Sequence, residues 1–187
     1  MNENFVGKTS VSVAVLALIA FPAMAQTLAP PPLIPYGLPI SIESAKNVAA
    51  AAVAEADKNG LNDAIAIVDT GGSLVYFEKM QDTQTGSVDL AIEKARTAAL
   101  FRRPSKVFQD AVAAGGEGLR LLRLTGAIPI EGGVPIIVNG KLIGAIGVSG
   151  GTGAQDSQVA AAGAQTGGLP SASAHKYSPA SPCDRNR

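Results

Sequence analysis

The sequence predicts one α+β domain in which helices flank a five-stranded antiparallel sheet. Short β-branched runs are separated by glycine-containing turns, and segments with helical periodicity stand on both sides of those runs. Of the 187 residues, 47% are hydrophobic, which suffices for a single core in a chain of this length. Because consecutive hairpins pair their strands antiparallel, a parallel Rossmann sheet is disfavoured.

The elements of this domain follow from apolar spacing and turn residues. The predicted helices cover 42–58, 87–101, 105–114 and 154–164, with one or two further turns over 117–124. The predicted strands cover 64–69, 73–79, 128–130, 134–138 and 142–148. Thr70-Gly71-Gly72 and Asn139-Gly140 supply hairpin turns, because glycine and asparagine tolerate the positive φ that tight turns need.

Residues 1–25 have the pattern of a secretory signal peptide. Lys8 supplies a positive charge, residues 11–21 are apolar, and Ala23-Met24-Ala25 is a cleavage site of the small-x-small type. The apolar run is shorter than the roughly 20 residues that a membrane span needs, so no stable membrane insertion is expected. The alternative is a buried N-terminal helix. We expect cleavage after Ala25 and a periplasmic or secreted protein.

Two segments flank the predicted domain, which spans residues 40–166. Residues 26–39 are rich in proline and should form an extended arm that packs on the domain or on a neighbouring subunit. Residues 167–187 lack large apolar side chains and are predicted to be a disordered tail. This tail holds His175 and Cys183, the only histidine and cysteine of the chain. A catalytic dyad needs a rigid scaffold, which a disordered tail does not provide.

Charge and composition exclude several classes of function. The chain has 15 basic and 15 acidic residues and a formal net charge of +0, which argues against a nucleic-acid partner. One cysteine and one histidine can form neither an internal disulfide nor a zinc site. No nucleophile with its base can be assembled from the middle of the chain, so the sequence favours a non-catalytic protein.

Four strings of the domain stand together in a recognisable order. They are Ala66-Ile67-Val68-Asp69-Thr70-Gly71-Gly72, Glu93-Lys94-Ala95-Arg96-Thr97-Ala98-Ala99, Gly132-Gly133-Val134-Pro135-Ile136 and Gly144-Ala145-Ile146-Gly147-Val148-Ser149-Gly150-Gly151. Over about residues 38–166 the chain resembles the GlcG/HbpS family, which includes the C-terminal domain of PduO-type adenosyltransferases. The resemblance implies a five-stranded sheet with a profilin-like layout and assembly into homo-oligomers, often octamers. It also implies haem binding in extracellular members, one of which serves a redox-sensing system.

The helix over 87–101, labelled α2, carries the candidate binding residues. Leu90, Lys94, Thr97 and Phe101 follow the i, i+4, i+7, i+11 spacing and therefore lie along one line, the α2 stripe. A tetrapyrrole needs apolar area, a cation for a propionate and an oxygen near the iron, and this stripe offers all three. Arg102 follows, where its cation either complements the helix terminus or binds an acidic ligand or a neighbouring subunit.

The resemblance implies that Thr97 lies at the haem iron. The alternative is that its hydroxyl binds the backbone carbonyl one turn earlier in the helix. PduO-type relatives ligate haem through a histidine near the start of the domain, and this chain has no histidine before His175. Tyr76 and Met80 could reach an iron but are interpreted as packing residues of the second strand.

These observations predict an exported oligomeric protein that binds haem or a related tetrapyrrole for sequestration or sensing. One alternative is an accessory protein or enzyme for a small carboxylate such as glycolate, since some relatives are encoded beside glycolate oxidation genes. The other is a structural module whose ligand is a protein, such as a membrane sensor. The glycine-rich string from Gly144 to Gly153 lacks the Lys-Ser/Thr pair of a nucleotide site, although a carboxylate could sit at the following helix.

Overall fold

A four-stranded antiparallel sheet separates two layers of helices in the computed structural model, which describes residues 33–167. In chain order the elements are α1 (Ile42–Lys58), β1 (Ala64–Asp69), β2 (Leu74–Lys79), α2 (Ser87–Phe101), α3 (Lys106–Ala113), a 3₁₀ helix (Gly116–Arg123), β3 (Gly133–Val138), β4 (Lys141–Ser149) and α4 (Gly153–Ala164). The strand order is β2-β1-β4-β3. The predicted signal peptide and nearly all of the predicted tail lie outside the described residues.

The predicted α+β class and the antiparallel pairing are confirmed, but the count of five strands is wrong. Each of the three strand pairs is antiparallel, and Asn139 and Gly140 turn the β3–β4 hairpin with φ of 50° and 73°. The segment 128–130 forms no strand because side chains bind the backbone around it. The Ile128 N–H donates to Thr97 Oγ1, and the Glu131 N–H donates to Gln109 Oε1.

Strand β1 is buried on both faces, and its alternating residues separate the two cores. Ile65 and Ile67 pack with α1 and α4 on one face of the sheet. Ala64, Ala66 and Val68 pack with α2 on the other. The period of two in a strand places these two sets on opposite faces. The small side chains on the α2 side allow that helix to lie very close to the sheet.

Glycine and alanine together bring α2 against β4. The buried face of α2 consists of small residues, namely Ala91, Ala95, Ala98 and Ala99. A Cβ placed on Gly147 of β4 would lie 2.0 Å from the Ala91 carbonyl oxygen, so any side chain there would collide with the helix backbone. This contact fixes the depth of α2 and leaves no room for a ligand between α2 and β4.

The described part of the arm lies along β4 just beyond the end of β1. The last β1–β4 pair joins Asp69 to Gly144, which leaves the first residues of β4 open on that side. The arm binds there: Leu142 donates to the Pro35 carbonyl at 2.9 Å, and Gly37 donates to the Leu142 carbonyl at 2.6 Å. Between residues 33 and 167, no helix has the length and apolar content needed to cross a membrane.

Candidate functional site

Lys94, the cation of the α2 stripe, lies inside the protein. Only 1% of its surface is exposed, and its Nζ lies 2.6 Å from Asp156 Oδ2 in an ion pair. The same Nζ donates to the Val148 carbonyl at 2.9 Å. The ammonium thus joins α2 to the end of β4 and the start of α4. Because its polar contacts lie within the fold, the predicted partner, a ligand propionate, is replaced by Asp156.

Asp156 also occupies the N-terminus of α4, which follows the glycine-rich string and could have bound an external anion. Its Oδ1 accepts a hydrogen bond from the Gly151 N–H at 2.9 Å, just before α4. Thr152 and Gln155 form a capping box that satisfies further backbone groups of this helix start. A helix N-terminus favours a negative charge, and here the chain supplies that charge itself. The sequence allowed a ligand carboxylate at the start of α4, and the Asp156 side chain takes that position instead.

Thr97 is fully buried, and its hydroxyl binds a backbone carbonyl of α2, which was the alternative to binding the haem iron. Its Oγ1 donates to the Glu93 carbonyl, one turn earlier, at 2.8 Å. It also accepts from the Ile128 N–H at 2.8 Å and so holds the segment that leads to β3. Both bonds are structural, and the full burial of Thr97 separates its hydroxyl from any ligand outside the chain.

The α2 stripe is therefore not an open groove within the single chain. Lys94 and Thr97 are sealed in the middle of the stripe, while Leu90 and Phe101 at its two ends are half-buried. The expectation that these four residues contact a ligand along one continuous line is corrected, because the two in the middle are buried. Its physical reason is that the stripe packs toward β3, β4 and the segment before β3, which the apolar periodicity of α2 alone does not reveal.

Arg102, also half-buried, binds the arm. It ends α2 in the left-handed conformation with a φ of 53°, and its Nη1 donates to the Ile34 carbonyl at 3.2 Å. Its guanidinium carbon lies 4.9 Å from the centre of the Tyr36 ring, within the range of a cation–π contact. The Tyr36 hydroxyl donates to the Leu100 carbonyl at 3.2 Å. The C-terminal end of α2 thus anchors the described part of the arm.

A surface groove of about 570 Å³ opens beside this anchored arm, between it and the β3–β4 hairpin. We call it the arm groove. It is lined by Tyr36, Gly37, Leu38, Val138, Asn139, Lys141 and Ile143. Leu38, Val138 and Ile143 supply aliphatic side chains, Tyr36 and Asn139 carry polar groups, and Lys141 adds one positive charge. None of the five sequence-predicted site residues lines the arm groove, although Arg102 contacts the Tyr36 ring from α2.

Few side chains in the described range could hold an iron or another metal. No group of three or more His, Cys, Asp or Glu residues converges between residues 33 and 167. Among the side chains that ligate haem iron in proteins, the described range contains Tyr36, Tyr76 and Met80. Tyr76 donates to Glu78 at 3.2 Å, and the Met80 sulfur accepts from the Asp63 N–H at 3.5 Å. Tyr36 is 46% exposed.

A second buried carboxylate, Asp63, lies just before β1. It is fully buried, and neither of its carboxylate oxygens has a hydrogen-bond partner within the described residues. Burial, and secondly the nearby charge of Asp156, raise the pKa of Asp63 from 3.8 to about 6 against the opposing effect of Lys94. Asp63 therefore holds its proton more tightly in the folded protein than in the unfolded chain.

The fold and this groove define a class: a small α+β domain with an antiparallel sheet, a strand-like arm and a peripheral ligand-sized groove. The family model described as "Haem degrading protein HbpS-like" matches residues 40–165. The chain belongs to the HbpS-like family, which confirms the family resemblance of its four sequence strings.

Individual relatives agree with this assignment. Protein GlcG of Escherichia coli strain K12 is 43% identical over 110 residues, which cover 59% of this chain and 81% of GlcG. The crystal structure of HbpS superposes with a TM-score of 0.64 at 29% identity, over 69% of this chain and 90% of that one. The crystal structure of a PduOC–haem complex gives a TM-score of 0.63 at 27% identity, over 69% and 95%.

Sequence reasoning predicted that the arm packs on the domain or on a neighbouring subunit, but it missed Tyr36 as a residue that contacts Arg102 and α2. The available signal was its neighbourhood: Leu33, Ile34 and Leu38 give residues 33–38 more apolar area than a solvated linker needs. Such a segment needs a surface on which to pack. The sequence could not show that this surface is the start of β4, because the pairing depends on where β1 ends.

We predict that Lys94→Met strongly destabilises the protein. The substitution keeps the apolar stem but leaves the Asp156 carboxylate buried without its cation, which costs about 3–5 kcal/mol of the free energy of unfolding. Lys58→Met is the control, because the exposed Lys58 forms a surface pair with the partly buried Glu55 that contributes at most about 1 kcal/mol. Urea unfolding followed by circular dichroism measures both. Equal effects of the two substitutions would contradict this role of Lys94.

We predict that Asp63→Asn stabilises the protein at neutral pH. The raised pKa means that Asp63 favours the fold below about pH 3.8, and that this contribution is lost as the pH rises through about 6. Removing the charge should raise the free energy of unfolding at pH 7 by roughly 1–3 kcal/mol and flatten its pH dependence over that interval. Unfolding curves from pH 4 to pH 7 measure this effect.

Asp57→Asn is the matched control for Asp63, since Asp57 is exposed on α1. Its pH dependence should follow that of the unmodified protein. A loss of stability at pH 7 in Asp63→Asn would show instead that the Asp63 carboxylate has a stabilising partner.

Proposed function

We propose that this chain is an exported oligomeric protein that binds haem or a related tetrapyrrole, in sequestration or in sensing. The observation that carries the proposal is the similarity to the PduOC–haem complex over 69% of this chain. The pattern of residues 1–25 supports export. Sequestration needs no partner, whereas sensing would need a second protein, such as a membrane sensor, that distinguishes the loaded state.

Within this proposal, the C-terminal end of α2 contributes to the ligand site. Phe101 and Arg102 are half-buried there, so they combine partly accessible apolar area with a positive charge. Lys94 and Thr97 act indirectly, because their hydrogen bonds fix α2 and the segment before β3. Leu90 stands at the opposite end of the helix and would contact a ligand only as part of a separate surface.

An apolar surface on the 3₁₀ helix supports the oligomeric part of the proposal. Leu119 and Leu122 are 50% and 59% exposed, Leu124 directly after this helix is exposed too, and so is Val107 on the neighbouring α3. Large apolar side chains grouped on a surface favour association with another protein surface. We propose that this region, the leucine face, contacts a second copy of the chain in a homo-oligomer, an octamer being one such assembly.

Haem titration tests the binding proposal. Added to the purified protein at micromolar concentration, haem should give a saturable Soret shift. Arg102→Ala should weaken binding by about 3–10-fold, because it removes a cation and releases the arm. Arg103→Ala, one residue further and exposed, is the matched control and should bind as the unmodified protein does.

Absence of any Soret shift in the unmodified protein would overturn the binding proposal. A shift followed by bleaching of the band in the presence of a reductant and oxygen would instead indicate haem degradation, the activity in the family's description.

Light scattering coupled to size exclusion tests the oligomer. The unmodified protein should have a mass several times that of the monomer, and Leu122→Glu should lower it by placing a charge in the leucine face. Ile42→Glu is the control, because Ile42 is 40% exposed and lies on α1, which packs on the face of the sheet opposite to α2. A monomeric mass for the unmodified protein would contradict the proposal.

A further inference from the structure

We propose that residues 150–152, the turn between β4 and α4, form a lid that a single proton on Asp63 keeps closed. We call this segment the glycine turn. With the proton present, the turn covers a neutral carboxyl group. Without the proton, the turn opens more often, so that water reaches the carboxylate. This device requires no ligand and therefore goes beyond the proposed function.

Asp63 is buried without the contacts that a charged group needs. Its exposed fraction is 0%, and neither of its carboxylate oxygens has a hydrogen-bond partner within the described residues. Burying an ionised carboxylate without a partner is costly, whereas a neutral acid is tolerated far better. The closed structure therefore suits a protonated Asp63, and loss of the proton creates a need for water at this side chain.

The buried ion pair next to Asp63 does not meet that need. Lys94 on α2 has its Nζ 2.6 Å from Asp156 Oδ2 on α4, and it acts on Asp63 only from beyond hydrogen-bond distance. Ionised Asp63 would place two negative charges against one positive charge inside the fold. The charge of Asp156 opposes that state, as like charges do at close range.

The other elements around Asp63 offer it no buried cation. From the end of β2 and the loop that follows, Met80 accepts a hydrogen bond from the Asp63 N–H, and Thr83 donates one to the Asp63 carbonyl. Both side chains are uncharged and bind the backbone. At the end of α1, the charged Asp57 and Lys58 are exposed. Hydration is therefore the remaining way to stabilise an ionised Asp63.

The glycine turn is a thin cover over the Asp63 side chain. A Cβ placed on Gly150 would overlap Asp63 Oδ1, so the Gly150 backbone packs directly against the carboxyl group. Gly150 itself is half-buried, while Gly151 and Thr152 are exposed. A single layer of chain thus separates the carboxyl group from solvent on this side, and a movement of that layer is enough to hydrate Asp63.

The contacts that hold the glycine turn are suited to opening. The Gly151 N–H donates to Asp156 Oδ1 at 2.9 Å, and Thr152 belongs to the capping box of α4. Two successive glycines have no side chains to pack, and their backbone has unusual conformational freedom. Opening would exchange the Gly151 bond for water and leave Asp156 Oδ2 paired with Lys94.

The direction of the pH effect follows from the two states of the lid. Burial, and secondly the charge of Asp156, raise the pKa of Asp63 to about 6 when the turn is closed. In the open, hydrated state the pKa should return toward the ordinary value of 3.8. Opening therefore becomes more favourable as the pH rises from about 3.8 to about 6 and levels off above that. The open population should increase by about 10–100-fold between roughly pH 4 and pH 7.

Amide hydrogen exchange of the full chain, followed by NMR and corrected for the intrinsic pH dependence of exchange, tests the lid. Protection of the Gly151 amide should fall by about 10–100-fold from roughly pH 4 to pH 7. Asp63→Asn should keep the Gly151 amide equally protected at both pH values, because its side chain does not titrate. Asp57→Asn, an exposed change of the same chemistry, is the matched control and should follow the unmodified protein.

A second amide separates opening of the lid from unfolding of the whole domain. The Leu142 N–H, bonded to the Pro35 carbonyl at the other end of β4, should keep its protection over the same pH range. A parallel loss at Leu142 would show global unfolding and would overturn the proposal. Equal protection of Gly151 at both pH values in the unmodified protein would overturn it too, as would a fall that persists in Asp63→Asn.

Titration of the Asp63 side-chain carboxyl carbon by NMR provides an independent check. Its midpoint should lie near pH 6 in the unmodified protein, and a midpoint near 3.8 would contradict a closed lid over a buried carboxyl group. Neither measurement involves haem. A negative result would therefore overturn the lid and leave the binding proposal unaffected.

Discussion

The buried ion pair between Lys94 and Asp156 is the interaction on which the rest of the structure depends. Its two side chains are 1% and 3% exposed, and they join the middle of α2 to the first turn of α4. Two buried charges are tolerated only when each has a partner and further hydrogen bonds, which Val148 and Gly151 supply here. One pair therefore links the helices on the two sides of the sheet at the end of β4.

This pair commits the cation in the middle of α2 to the fold. With Lys94 committed to Asp156 and Thr97 committed to two backbone groups, the polar atoms in the middle of α2 serve the fold. Cations that a ligand can reach remain at the periphery, among them Arg102 at the helix end and Lys141 at the hairpin. The described part of the arm lies between these two residues and contacts Arg102 and the start of β4.

The sequence predicted the elements that depend on neighbouring residues, and it missed contacts between residues that are distant along the chain. Helical spacing and turn residues located α1, α2, α4 and the Asn139-Gly140 hairpin, because each depends on neighbouring residues. The segment 128–130 has the composition of a strand, yet the Thr97 and Gln109 side chains bind the backbone beside it. The partner of Lys94 lies 62 residues away, so spacing could show that Lys94 shares a line with Thr97 but not that α4 covers it.

The position of the bound haem tests the central claim most directly. Ferric haem broadens the amide resonances near its iron, while a diamagnetic gallium protoporphyrin in the same site serves as the reference. Selective broadening is expected at the periphery of the fold, including the C-terminal end of α2 at Arg102, with the amides of Lys94 and Thr97 much less affected. Broadening centred on Lys94 and Thr97 would show that the ion pair opens to admit the ligand, and would contradict the account.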